Sequence, residues 1–178
     1  FDQIINGISK YYHMYGKKVS CPAILRMPMG GKRGYGPTHS QSLEKFLCGI
    51  DNLLVVSPSS LEDPKLTYKD IFAQKCPSII IENKIEYTRK SIEINNNLEI
   101  KKNNIPLGNI LIKPKYNESH FCIVTYGESG RLIYDNYDKI VEESNATFIL
   151  VNLLKLNPLD VSSFIKQISK TQGVLIIE

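Results

Sequence analysis

Five short, unbroken apolar runs constrain the fold of this chain more than any other feature. A strand without polar alternation is buried on both faces, as in a parallel sheet that helices cover on both sides. Segments with helical spacing separate the runs, so the sequence predicts an α/β protein, a three-layer α/β/α arrangement with mostly parallel sheets. The runs are "NLLVVSP" (52–58), "PSIIIEN" (77–83), "HFCIVTYG" (120–127), "TFILVN" (147–152) and "VLIIE" (174–178).

Apolar residues at helical spacing predict the helices between these strands. The first helix covers Phe1 to Tyr15 and ends at Gly16, and a further strand follows in "VSCPAILRM" (19–27). The next helix runs from Ser60 to about Gln74, with its cap at either Ser60 or Asp63. In the second half, one helix carries the apolar positions 132, 133, 140 and 141, and another follows a cap at position 160.

A polar segment divides the chain into two parts. Residues 90–108 are rich in Asn, Lys and Glu, a composition typical of linkers between domains. We therefore predict parts of two consecutive domains, residues 1–89 and 107–178, joined by a linker at 90–106. Because the chain begins with Phe1 and ends at Glu178 inside a predicted strand, we expect it to be a fragment of a longer polypeptide.

Charge and composition exclude some classes of function. The net charge is only +4 and is spread along the chain, which does not indicate nucleic-acid binding. Apolar runs are too short to cross a membrane, which takes about 20 residues. The cysteines, which do not form a CxxC pair, are expected to be reduced and buried, as in a cytosolic protein; they are Cys21, Cys48, Cys76 and Cys122.

The segment "GGKRGYGPTHSQS" (30–42) is a glycine-rich loop with several possible functions. Lys32 is followed by Arg33 instead of Ser or Thr, so the loop is not a Walker A motif, and the glycine spacing does not fit a dinucleotide fingerprint. A phosphate loop of another kind stays open. The two cations are expected at a solvated loop tip.

The end of this loop suggests a histidine at a helix start. Thr38 and Gln41 fit a capping box, which would make His39 the first residue of a helix. There the helix dipole opposes an imidazolium, and a neutral imidazole can direct charge on a substrate carbonyl. From the residues alone, this role and simple assistance to the cap are both open.

Several blocks resemble the β subunit of thiamine-diphosphate-dependent 2-oxoacid dehydrogenases, the E1 component. In the second half, "IPLGNILI" and "VTYG" (124–127) resemble the transketolase C-terminal domain, and "VNLLKLNPLD" (151–160) resembles a family block in which Asn152 and Leu154 replace Asp and Arg. In the first half, the matching blocks are Arg26-Met27-Pro28, Gly30–Gly36, His39-Ser40-Gln41, Val55–Pro58, Glu62–Lys65 and Ile81-Glu82-Asn83.

The resemblance implies a specific domain identity and activity. Residues 1–89 would be the latter part of a transketolase-like pyrimidine-binding domain, and 107–178 the first part of a transketolase C-terminal domain. The implied reaction is oxidative decarboxylation of a 2-oxo acid with acyl transfer to a lipoyl-bearing E2. The family glutamate that activates the cofactor lies upstream of Phe1, so we expect this stretch alone to be inactive.

The resemblance also implies partners and site residues. Thiamine diphosphate and Mg²⁺ would be held mainly by an E1 α subunit, in a heterotetramer with a second β subunit, in the cytoplasm or an organelle matrix. His39 carries over as the catalytic histidine, and Arg26, Tyr35 and Glu82 are candidates for contact with substrate or a partner. Arg26 could equally form a structural ion pair. The alternatives are a split transketolase-type C-terminal subunit and a degenerate, non-catalytic subunit that binds partners.

Overall fold

The computed structural model describes residues 1–32 and 34–178; Arg33, predicted with Lys32 at a loop tip, lies outside the described residues. Within those ranges, the strands form one sheet of four and one of five. The strands are β1 (Ile24–Met29), β2 (Leu54–Val56), β3 (Ser78–Asn83), β4 (Leu98–Lys102), β5 (Ile110–Pro114), β6 (Phe121–Tyr126), β7 (Phe148–Leu153), β8 (Lys155–Asn157) and β9 (Gly173–Ile176).

The first sheet has the order β1-β3-β2-β8. Strands β1, β3 and β2 are parallel, and β8 pairs with β2 in the antiparallel direction. The helix Pro64–Ala73 connects β2 to β3, and the Asp63 side chain caps it by accepting from the Lys65 N–H at 3.0 Å. Of the two predicted caps, Asp63 is therefore confirmed, with Pro64 in the first helical turn.

The second sheet has the order β4-β5-β7-β6-β9. Strands β7, β6 and β9 are parallel, whereas β4 and β5 form an antiparallel edge. Helices Gly127–Asp135 and Tyr137–Ser144 connect β6 to β7 and cover one face. In the core on that face, the fully buried Phe148 ring lies 5.3 Å from Phe121 and 4.3 Å from Tyr137, measured between ring centres.

Short helical segments complete the chain. The predicted first helix is present as a π-helix at Gln3–Ile8 and an α-helix at Tyr11–Met14, and Gly16 follows at a φ of 60°. Ile4 and Ile8 pack on the core of the first sheet. The remaining elements are the α-helices Glu44–Leu47 and Ile165–Ile168 and the 3-10 turns Pro37–His39, Glu86–Thr88 and Val161–Ser163.

The α/β class is confirmed, and the differences lie at or next to the sheet edges. Strand β9 was predicted to be buried, but it is an edge strand that pairs with β6, and its residues are exposed. Strand β5, next to the edge strand β4, was not predicted. Strand β4 falls inside the segment predicted as a linker, where its polar and apolar residues alternate because one face of an antiparallel edge strand meets solvent. Strand β8 was not predicted either, although it belongs to the second half of the chain and pairs with the first sheet. The division into two domains stays a prediction.

Two further expectations differ from the structure in detail. All four cysteines are free, but only Cys122 is buried; Cys21 and Cys76 are half-buried, and Cys48 is exposed. The prediction of buried cysteines was wrong for Cys48, which follows the short helix Glu44–Leu47 and leaves the core to Leu47. None of the helices in the described ranges has the length and apolar character needed to cross a bilayer.

Asn157 joins the second half of the chain to the first sheet through its side chain. The Asn157 Nδ2 group donates to the carbonyls of Ile50 at 2.9 Å and Leu53 at 2.6 Å, and the Oδ1 atom accepts from the Gly49 N–H at 2.9 Å. The amide therefore satisfies three backbone groups of the turn that precedes β2.

Replacing the amide of Asn157 tests this connection. A carboxylate cannot donate to either carbonyl, so we expect Asn157→Asp to lower the free energy of unfolding by about 2–3 kcal/mol. Chemical denaturation of the full-length protein measures the effect. Asn97→Asp is the matched control, because Asn97 is exposed and should change stability by less than about 0.5 kcal/mol. Equal effects of the two substitutions would contradict the role of Asn157.

Candidate functional site

The residues singled out in the sequence lie where β1 and β3 end. The two strands are parallel, with Met29 opposite Asn83, so their carboxyl ends share one edge of the first sheet. The Lys84 N–H donates to the Met29 carbonyl at 3.0 Å, and the Gly30 N–H donates to the Gln41 carbonyl at 3.4 Å. The glycine loop thus leaves and rejoins the sheet at the edge where α/β proteins bind their ligands.

A buried carboxylate organises this edge. Glu82 is 7% exposed and lies opposite Pro28 in the register, so Arg26, two residues earlier on β1, projects from the same face. Arg26 donates to both carboxylate oxygens, with Nη2 at 2.9 Å and Nε at 3.2 Å from Oε2. The Tyr87 hydroxyl donates to Oε2 at 2.6 Å, and the Tyr68 hydroxyl donates to Oε1.

The hydrogen bonds of this cluster decide its ionisation. Burial alone would raise the pKa of Glu82, but the bonds from Tyr68, Tyr87 and Arg26 outweigh it, and the pKa lies below its ordinary value. Burial, together with the bond to Glu82, raises the pKa of Tyr68 to about 12 and raises that of Tyr87 as well. The pKa of Arg26 is also raised, chiefly by its hydrogen bond to Glu82. The cluster is therefore an ionised carboxylate held by three neutral or cationic donors.

This geometry changes the interpretation of two candidate residues. Arg26 and Glu82 were each candidates for contact with substrate or a partner, and the structure pairs them with each other, the ion pair that the sequence had left open for Arg26. The oxygens of Glu82 already accept from three side chains, which leaves the carboxylate fixed in place. The Arg26 side chain is 59% exposed beyond the pair. The contact of either residue with substrate or a partner stays a prediction.

His39 lies in a different local structure from the one expected. It is the last residue of the 3-10 turn Pro37–His39, and the following α-helix begins only at Glu44. The Gln41 side chain donates to the Thr38 carbonyl at 3.4 Å and does not form a capping box. The expected helix start at His39 is wrong because the Gln41 carbonyl bonds to Gly30 at the end of β1, which holds this segment outside a helix.

The loop itself presents His39 and Tyr35 to solvent. Both residues are exposed, and both contact Lys84, which directly follows β3. The catalytic assignment of His39 and the interface assignment of Tyr35 therefore stay predictions, now on a loop whose position is known. Lys84, Tyr68 and Tyr87 were not singled out from the sequence. A buried carboxylate needs hydrogen-bond donors, and this requirement could have indicated from the sequence that nearby tyrosines bond to Glu82.

A cleft opens beside the Glu82 cluster. It has a volume of about 630 Å³ and is lined in part by Ser59, Tyr68, Tyr87 and Arg89. Arg89 forms one wall and pairs with Glu86 and with Glu128, each at 3.2 Å. Since Glu128 lies in the first turn of the helix that follows β6, Arg89 joins the edge of the first sheet to the second.

The resemblance places two departures from the family pattern at the end of β7: Asn152 within the strand and Leu154 directly after it. Leu154, in place of a family Arg, is fully buried in the apolar core on the helix-covered face. Asn152, in place of a family Asp, is also fully buried, and the Gly130 backbone packs so closely that a Cβ there would lie 2.0 Å from Oδ1. Leu154 therefore serves packing within the chain, whereas the Asn152 amide is buried against the Gly130 backbone.

The residues present do not by themselves fit thiamine diphosphate with Mg²⁺. Within residues 1–32 and 34–178, there is no group of three or more His, Cys, Asp or Glu side chains able to hold a metal ion. The buried carboxylate at the strand ends, Glu82, is already bonded to Arg26 and two tyrosines.

The ionised state of Glu82 predicts a specific pH dependence of stability. Because the folded pKa lies below the ordinary value of 4.5, the cluster stabilises the fold above about pH 4.5 and loses this contribution as the pH falls through the folded pKa. Glu82→Gln should lower the free energy of unfolding by about 2 kcal/mol at neutral pH and by less in acid. Denaturation at several pH values measures both.

A surface glutamate supplies the control for this experiment. Glu143 pairs with Lys139 at 3.9 Å, and both side chains are 70% exposed. Glu143→Gln should change stability little at any pH. A Glu82→Gln protein that stays as stable as the wild type at neutral pH would contradict the role of the cluster.

Comparison with known proteins supports the resemblance found in the sequence. No protein-family model matches the chain. The pyruvate dehydrogenase E1 component subunit beta of Rickettsia bellii is 31% identical over 177 residues, which cover 99% of this chain and 52% of the relative. The mitochondrial 2-oxoisovalerate dehydrogenase subunit beta of Dictyostelium discoideum is 29% identical over 99% of this chain and 46% of its own length.

A solved structure shows the same fold. A split-gene transketolase, described as an inactive beta4 tetramer, has a TM-score of 0.64 and 17% identity, covering 100% of this chain and 52% of its own. The chain spans about half the length of the curated relatives it matches. The resemblance is thereby confirmed: over 99% of its length or more, this chain is similar to about half of proteins named pyruvate dehydrogenase E1 component subunit beta.

Proposed function

We propose that this chain is part of the β subunit of a thiamine-diphosphate-dependent 2-oxoacid dehydrogenase E1. The reaction is the oxidative decarboxylation of a 2-oxo acid, with transfer of the acyl group to a lipoyl-bearing E2. The observation that carries this proposal is the similarity over 177 residues to a subunit named for pyruvate dehydrogenase, with a 2-oxoisovalerate dehydrogenase subunit at nearly the same identity.

The described residues support a cofactor site that is shared between subunits, since they contain no group of three or more side chains able to hold a metal ion. Thiamine diphosphate supplies the ylid chemistry that breaks the C–C bond, and the protein supplies position and electrostatics. We propose that an E1 α subunit holds the diphosphate and Mg²⁺, and that a second β subunit completes a heterotetramer in the cytoplasm or an organelle matrix. This chain contributes to the shared site the glycine loop and the carboxyl ends of β1 and β3.

His39 is the residue of that edge suited to act on a substrate. Its exposed imidazole lies on a loop tied to the carboxyl ends of β1 and β3. An imidazole can donate one hydrogen bond and accept another near neutral pH. In the assembled enzyme, His39 would orient the 2-oxo acid, stabilise the intermediate that follows decarboxylation, or assist transfer to the lipoyl group.

One alternative has a specific observation in its favour. The split-gene transketolase shares the fold over the whole chain, so a transketolase-type subunit is the second candidate. Its identity of 17% is lower than the 25–31% found for E1 β subunits, which favours the dehydrogenase. A non-catalytic, partner-binding subunit is the third candidate, and turnover of a 2-oxo acid by the assembled protein would exclude it.

Removing the imidazole of His39 tests the proposed role. We expect His39→Ala, in the full-length chain assembled with its partner subunit, to lower turnover of a 2-oxo acid on the order of 100-fold. The melting temperature should stay unchanged because the side chain is exposed. The measurement is transfer of the acyl group to a lipoyl domain.

The control for His39→Ala is another exposed histidine. His13 lies on the helix Tyr11–Met14, 3.6 Å from Asp51, and His13→Ala should leave turnover unchanged. A parallel loss of turnover and stability in His39→Ala would indicate that the residue only supports the loop. Turnover of a ketose donor, with none of a 2-oxo acid, would favour the transketolase-type candidate.

Cofactor binding tests the proposed sharing of the site. Because the described residues do not fit the cofactor alone, the full-length β chain without its partner should give no measurable heat when titrated with thiamine diphosphate and Mg²⁺. The assembled complex should bind with a Kd near the micromolar range, on the order of −8 kcal/mol. Micromolar binding by the isolated β chain would contradict a site held mainly by the α subunit.

A further inference from the structure

Lys84 contacts the glycine loop at two residues and also contacts the strand residue that precedes the loop. The Lys84 N–H donates to the carbonyl of Met29, the last residue before the loop, at 3.0 Å. The Lys84 Nζ atom donates to the carbonyl of His39 at 3.1 Å. The same ammonium lies 5.3 Å from the centre of the Tyr35 ring, within the range of a cation–π interaction.

The loop needs such contacts because it is rich in glycine. Gly30, Gly34 and Gly36 all have positive φ angles, at 93°, 77° and 75°, and Lys32 has a φ of 61°. Residues 34–39 are exposed, so packing against the core does not order them. Glycines lose the most conformational entropy on ordering, so an ordered loop of this composition depends on contacts made by its few polar and aromatic groups.

Lys84 is itself held firmly by its neighbours. Glu82, two residues earlier, is bonded to Arg26, Tyr68 and Tyr87, which fixes the end of β3. Asn83 Oδ1 accepts from the Ile85 N–H at 2.9 Å, on the other side of Lys84. The backbone that carries the lysine is therefore fixed by hydrogen bonds before and after it.

We propose that Lys84 is a positioning residue, which holds the glycine loop against the end of β3 and thereby sets the place of His39. The part that concerns catalysis rests on the proposed function of His39; the part that concerns the loop does not. The lysine acts through the backbone carbonyl of His39, and this leaves the imidazole available to a substrate. Tyr35 takes the second contact of the ammonium, which orients the middle of the loop.

Loss of the ammonium should loosen the loop and slow the reaction. Lys84→Met keeps most of the aliphatic stem but removes the bond to His39 and the contact with Tyr35. In the full-length chain, we expect hydrogen exchange of the backbone amides in residues 30–41 to become roughly tenfold faster. In the assembled enzyme, we expect kcat to fall about tenfold while KM changes less than about twofold, because the histidine is displaced and substrate binding is kept.

Three further variants separate positioning from general stability. Lys84→Arg keeps a donor and a cation and should restore most of the turnover. Tyr35→Leu removes the ring alone and should give an intermediate increase in exchange. Lys45→Met is the matched control: Lys45 also lies over an aromatic ring, with Nζ 5.1 Å from the centre of Phe46, but should change neither exchange of the loop nor kcat.

The outcomes distinguish this proposal from the proposed function. Faster exchange and lower kcat in Lys84→Met, with rescue by Lys84→Arg, support the positioning role. The positioning role is overturned if Lys84→Met leaves hydrogen exchange of the loop unchanged. It is also overturned if Lys84→Met speeds exchange but keeps full turnover while His39→Ala is inactive. If Lys84→Met speeds hydrogen exchange but His39→Ala keeps full turnover, the catalytic role of His39 is refuted. The role of Lys84 in catalysis is then refuted as well, while its contact with the loop is supported.

Discussion

The hydrogen-bonded carboxylate of Glu82 is the interaction on which the functional edge depends. A glutamate at the end of a buried strand is costly unless its charge is paired, and here Arg26 and two tyrosines supply the donors. The donors come from β1, from the helix Pro64–Ala73 and from the turn Glu86–Thr88. The Glu82 carboxylate therefore connects β3 to β1, to the helix that precedes β3 and to the turn that follows it. Lys84, which contacts the glycine loop, lies two residues after Glu82.

The same edge connects the two sheets. Asn83 donates to Glu128, and Arg89 pairs with Glu128 and with Glu86. Glu128 also lies in the first turn of its helix, where a carboxylate interacts favourably with the helix dipole. The backbone at Gly127 approaches Ser57 so closely that a Cβ there would lie 2.8 Å from the hydroxyl oxygen, and its φ of 56° also favours glycine. Polar contacts thus hold the second sheet beside the ends of β2 and β3.

Sequence reasoning was successful where one physical signal dominated. The unbroken apolar runs correctly predicted the positions of β2, β3, β6, β7 and β9, and the first four of these strands are largely buried. The expectation of burial was wrong for β9, an edge strand whose four residues are all exposed. Sequence reasoning failed where tertiary pairing decides: β4 is an edge strand with one polar face, and β8 has only three residues. The capping motif around His39 was overridden by the pairing of Gly30 with Gln41, a contact that no local pattern encodes. Similarity to the family motifs indicated the position of the site. It did not indicate that Arg26 and Tyr68 bond to Glu82, because these residues lie on other segments of the chain.

The close packing of the loop against β3 explains the presence of glycine in the loop better than binding of a phosphate does. A Cβ at Gly30 would lie 2.9 Å from Asn83 Oδ1, so the close approach of the loop to β3 requires glycine there. A phosphate loop leads its backbone N–H groups into a helix, whereas this loop ends in a 3-10 turn and the next helix begins five residues after His39. The loop is thus built to bring exposed side chains to a fixed edge. The charged side chains of Glu82 and Arg89 form ion pairs within the chain and stabilise that edge. The exposed side chains of His39 and Tyr35 are accessible to a binding partner.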